Sequence, residues 1–72
     1  MVNLNKLEKI EAKLMDIRQI LNPEDAPYIC DTIVTNIGDE DLAALVKEMM
    51  GKMGYDKKMI GRVEKIILVI QS

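Results

Sequence analysis

The chain has 72 residues, one domain spanning 1–72, and its net charge of −2 selects no class of partner. Hydrophobic residues make up 49% of it, yet it has no Phe, Trp or His and a single Cys. That composition excludes an intrachain disulfide, leaves too few ligands for a structural zinc, and removes both the neutral-pH proton carrier and most of the flat rings that stack on bases.

The first predicted helix covers residues 6–21. Asn5 is placed to cap it, and Glu8 stands in the capping-box position. Leu7, Ile10, Leu14, Ile17 and Leu21 then step by three and four, a narrow apolar seam flanked by Lys6, Glu11, Lys13 and Arg18. Two heptads are short for a free coiled coil, so the seam predicts a packed helix of a bundle. Met15 and Ile20 fall off it and are expected at least half exposed. Asn22-Pro23 ends the helix, because the residue before a proline is pushed out of the α region.

Pro27 cannot lie deep inside a helix. A turn is therefore expected over 23–26, and a second helix over about 27–37. Ala26, Cys30, Ile33, Val34 and Ile37 share one face of it. Its β-branched residues also suit a strand, but Ile29-Cys30 and Ile33-Val34 are adjacent pairs and spoil any alternation. Gly38 is expected to stop the helix in a left-handed conformation.

The third helix is expected to begin at Asp39 as N-cap, with Glu40 and Asp41 facing the positive end of the helix dipole. Leu42, Val46, Met49 and Met53 step by four, three and four, and Leu45 and Met50 widen the stripe. Gly51 weakens this helix and Gly54 ends it, giving a turn over Gly51–Asp56. Asp56 then caps a fourth helix. Met59, Ile60, Val63, Ile66, Ile67 and Ile70 lie within about a third of its circumference. Leu68 and Val69 lie outside that arc, so the end of the helix is apolar nearly all round. A helix of that kind is buried on every side.

A chain this short buries only about 60% of its unfolded surface and has few segments with which to surround such a helix. The expected fold is all-α: a small bundle of about four short helices, completed by self-association. Charge is polarised along the chain, with net +1 over 1–22, −6 over 23–50 and +3 over 51–72. The ends are expected to attract the middle within a folded or oligomeric unit.

Catalytic chemistry has little to work with, and a non-enzymatic protein is expected. The only serine is Ser72, with no base to activate it. Cys30, on an apolar face, reads as a small core residue. Asp39, Glu40 and Asp41 are consecutive and lack the alternate spacing of a calcium loop. Gly51-Lys52-Met53-Gly54 has no preceding strand and is no phosphate loop. No metal or cofactor is expected.

What remains is binding. The expected role is a protein–protein interaction module, an adaptor, regulator or inhibitor, whose partners are further copies of itself and another protein. The candidate interface is Met49, Met50, Met53, Ile67, Leu68 and Val69, joining the methionine cluster around the third turn to the apolar end of the fourth helix. The alternative is an oligomer that binds an anionic ligand such as a nucleotide through Tyr55, Lys57, Lys58, Arg62 and Lys65. Residues 42–67 also faintly resemble a helix-turn-helix, which would make the last helix a nucleic-acid reader. Against that stand a long turn, an acidic chain and no aromatic residue beside the basic stripe. The longest apolar run, Ile66–Ile70, is far short of a membrane span. A polar, early-charged N-terminus and a lone cysteine make a cytoplasmic location the expectation.

Overall fold

The computed structural model describes residues 4–72, with side chains from residue 7 onward. Four α-helices follow one another: α1 (Leu4–Ile20), α2 (Ala26–Thr35), α3 (Leu42–Met53) and α4 (Lys57–Gln71). There is no strand among the described residues. α4 packs between α1 and α3, and α2 closes the other side between the same two helices.

Each helix contributes one stripe to a single core. α1 and the residue after it supply Leu14, Ile17 and Leu21; α2 supplies Ala26, Ile29, Cys30 and Ile33; α3 supplies Leu42, Val46 and Met50; α4 supplies Val63, Ile67 and Ile70. Spacings of three and four put each stripe on one helix face. No polar or charged side chain is buried among the described residues. The expected seam of α4 is therefore present, and that of α1 from Ile10 onward; Met15 lies off the core as expected, whereas Ile20 packs against its edge.

The structure moves several boundaries. α1 already includes Leu4, so Asn5 sits inside the helix rather than capping it, and its side chain lies outside the described residues. α2 rotates its apolar face. Ile29 is fully buried while Val34, expected in the core, is 53% exposed. On a helical wheel Ile29, Ile33, Ala26, Ile37 and Cys30 span about 100°, and Val34 lies about 40° beyond that arc. α2 stops at Thr35, before Gly38. Asn36 caps it, and both its backbone N–H and its side-chain amide donate to the Thr32 carbonyl, at 3.2 and 2.9 Å. Gly38 does not take a left-handed conformation. α3 is N-capped by Asp41, not Asp39. The Asp39 carboxylate instead accepts from the Asp41 backbone N–H at 2.8 Å, tightening the turn before the helix.

α3 runs through Gly51, which leaves only Gly54, Tyr55 and Asp56 between α3 and α4. Gly54 has φ +94°, and the N–H groups of Gly54 and Tyr55 donate to the carbonyls of Gly51 and Met50 at 3.2 and 3.1 Å. This is a Schellman ending, in which the left-handed residue turns two orphan carbonyls inward to partners. Asp56 then caps α4 as expected, accepting from the Met59 N–H at 2.8 Å. A Cβ at Gly54 or at Gly61 would meet nothing within 4 Å, so backbone conformation alone separates the two positions. Gly54→Ala is expected to cost about 1–2 kcal/mol, the left-handed penalty. Gly61→Ala, inside α4, is expected to add about 0.5–1 kcal/mol. Urea unfolding midpoints should move in opposite directions; a common direction would contradict this backbone assignment.

Two polar ties close the bundle at its ends. The Tyr55 hydroxyl accepts from the Asn22 backbone N–H at 2.9 Å and donates to the Asp25 carboxylate at 2.7 Å. It joins the α3–α4 turn to the α1–α2 connection. At the other end, the Gln71 amide donates to the carbonyls of Ile37 and Asp39 at 3.1 and 2.7 Å, pinning the end of α4 to the α2–α3 connection. The charge polarity of the sequence is used little. Glu48 and Lys52 pair within α3 at 3.4 Å, and Lys47 of the acidic middle pairs with Glu64 of the basic end at 3.1 Å, with the signs opposite to expectation. Exposed pairs of this kind contribute at most about 1 kcal/mol.

Candidate docking surface

α1 is 17 residues long and α2 only 10, so α1 extends about 25 Å against about 15 Å for its neighbour. α2 cannot cover the whole apolar side of α1. The result is a groove of about 410 Å³ between them, lined by Leu7, Ile10, Leu14, Met15 and Val34, with Glu11 and Arg18 on its α1 side. Leu7, Met15 and Val34 are all exposed large hydrophobics, Met15 at 57%. The seam expected along α1 is thus covered at Leu14, Ile17 and Leu21 and left open at Leu7.

The interface predicted from the sequence divides in two. Met50 and Ile67 are fully buried in the chain's own core and have no surface to offer. Met49 is half-buried against that core, and Met53 is exposed at the end of α3. Leu68 and Val69, at 55% and 40% exposure, face outward from α4. The all-round apolar character of that helix end is therefore covered on one side by this chain's core and left exposed on the other among the described residues.

The residues of the anionic-ligand alternative do not converge on one place. Arg62 and Lys65 line a groove of about 630 Å³ between α1 and α4, together with Asp16, Gln19, Ile20 and Ile66. An anion there would meet two cations and one carboxylate. Lys57 lies instead beside Lys47, Ile60, Gly61 and Glu64, in a depression between α3 and α4. Tyr55 is held by its hydroxyl in the tie to Asn22 and Asp25. Partial burial first, and then the hydrogen bond to the Asp25 carboxylate, raise its pKa above the usual tyrosine value.

The connection between α3 and α4, at three residues, is shorter than the turn expected from Gly51–Asp56 and falls within helix-turn-helix lengths. Lys47 of α3 and Glu64 of α4 pair at 3.1 Å, and the two helices pack extensively on each other.

No family model, curated protein or solved structure matches the chain. Function therefore has to be read from its surface. Among the described residues no three His, Cys, Asp or Glu side chains gather as a metal site requires. No described helix is long and apolar enough to cross a membrane. Cys30 is a buried free thiol, and the Ser72 hydroxyl donates to the Val69 carbonyl at 2.8 Å.

Sequence reasoning missed Val34 and Met15 as surface residues that act together. The signal was present in part. Ile33 and Val34 are adjacent and so about 100° apart on a helix, wider than one neighbour covers. The expected lengths already have α1 outrunning α2; which face of α2 packs inward, and so leaves Val34 outside, depends on tertiary contacts.

Proposed function

We propose that this chain is a non-enzymatic protein–protein interaction module that docks through apolar surface its own core leaves uncovered. The observation that carries this reading is the open groove of Leu7, Ile10, Leu14, Met15 and Val34. The bundle buries thirteen hydrophobic residues, Leu14 among them, and still leaves Leu7, Met15 and Val34 exposed along this groove. Contiguous exposed apolar surface of this sort marks contact sites between proteins. Leu68 and Val69 add a second apolar area on α4. The partners proposed are a further copy of the chain and another protein, for which it would serve as adaptor, regulator or inhibitor. A buried lone thiol suits a reducing cytoplasm as the place of action.

Light scattering and affinity capture test this together. The wild-type chain is expected to self-associate or to capture a partner at micromolar concentration, and Val34→Lys or Leu68→Lys to remove that binding while circular dichroism stays unchanged. Both positions are exposed, so the fold should tolerate the lysine. A wild-type chain that stays monomeric and captures nothing that either variant loses would overturn docking through these surfaces.

A further inference from the structure

We infer that the α1–α2 groove is the seat of a second copy of this chain, bound about a two-fold axis with the two α1 helices antiparallel. This deepens the docking role proposed above and rests on it.

Leu7, Glu11, Met15 and Arg18 step by four, four and three, which puts them within about 80° on one face of α1. All four are exposed. Met15 stands between the two charged residues along the helix. Glu11 lies one turn before it and Arg18 one turn after it, so an apolar centre is flanked by opposite charges on the edge of the groove. Neither Glu11 nor Arg18 has an ion-pair partner among the described residues.

That pattern is complementary to itself in one orientation only. A two-fold axis forces the same patch to meet itself. If two α1 helices pair antiparallel about a point between Leu14 and Met15, Glu11 faces Arg18 of the second copy, and Arg18 faces its Glu11. Each Met15 then enters the other copy's groove, beside Leu14 and Val34. A parallel pairing would set Glu11 against Glu11 and Arg18 against Arg18, which repel. The patch is small, so the dimer belongs to the weak, micromolar class. Its stability depends on a thioether that repacks readily in a shallow cleft.

Charge reversal decides the point by sedimentation or light scattering across a concentration series. Glu11→Arg alone and Arg18→Glu alone each create two like-charge contacts per dimer, and each should weaken dimerisation by about tenfold or more. Mixing those two variants in equal amounts should restore association, as a heterodimer. The double variant, Glu11→Arg with Arg18→Glu, should dimerise as the wild type does, and Met15→Asp should not dimerise at all. Recovery on mixing shows that loss in the single variants is not a folding defect. A wild-type chain that remains monomeric overturns the two-fold dimer, and so do single reversals that dimerise normally or a mixture that fails to recover. If a monomeric wild type still captures another protein in a Val34→Lys-sensitive way, the dimer falls and the docking role survives.

Discussion

Ile67→Ala is expected to abolish most of the folded population, with the helical circular-dichroism signal largely lost at room temperature. Ile67 is fully buried on α4, the helix that packs against both α1 and α3. Cutting an isoleucine to alanine at such a place removes transfer free energy and leaves a cavity, together about 2–5 kcal/mol. A single core in a chain of this size rarely supplies more than roughly 3–5 kcal/mol of net stability. The loss is therefore as large as the whole reserve. Leu68, one residue further along the same helix, gives the contrast. It is 55% exposed, and Leu68→Ala should stay within about 0.5 kcal/mol of the wild type in urea unfolding. An Ile67→Ala protein that unfolds within about 1 kcal/mol of the wild type would show that α4 is not packed as described.

Tyr55→Phe is expected to cost about 1–3 kcal/mol, the second-largest loss among the changes considered. The substitution keeps the ring against the core and removes only the hydroxyl. Two bonds are then lost, one from the Asn22 backbone N–H at 2.9 Å and one to the Asp25 carboxylate at 2.7 Å. The second bond joins a neutral donor to a charged acceptor, the stronger kind. Both ends of the tie lie in connections between helices, so its loss should also loosen the α1–α2 turn, visible as faster amide hydrogen exchange at Asn22.

The same hydroxyl sets a pH dependence. Its pKa in the folded chain is raised, by partial burial first and then by the hydrogen bond to Asp25. A group that holds its proton more tightly when folded stabilises the fold fully below its unfolded pKa, near 10 for tyrosine, and loses that contribution as pH climbs through the raised value. The wild type should therefore lose stability above about pH 10 more steeply than Tyr55→Phe does. Parallel pH profiles for the two proteins would remove Tyr55 as the cause.

Much of the architecture was legible in the order of the residues. Steps of three and four mark α1, α3 and α4, because a helix of 3.6 residues per turn returns such positions to one face whatever they pack against. Asp56 and Gly54 announce their boundaries for local reasons: a side-chain oxygen for a free N–H, and a missing Cβ where φ is positive. That Leu68 and Val69 lie outside the core stripe of α4 followed from the wheel in the same way.

Other features depended on contacts between segments distant in sequence. Nothing local says that Tyr55 will reach Asn22 and Asp25, or that Gln71 will reach Ile37 and Asp39, since each pair lies at least 30 residues apart. Met50 and Ile67 fall on the apolar stripes of their helices, and the expected interface includes both because those helices carry more apolar residues than one neighbour can cover. With α3 and α4 packed on each other, both residues point inward and Leu68 and Val69 remain outside. The groove on α1 exists because α1 is longer than α2 and because α2 packs with Ile29 inward, which leaves Val34 outside. Periodicity determines which residues lie together on a helix. Which of those faces finds a neighbour depends on where the helices end and how they pack, and only the tertiary structure decides that.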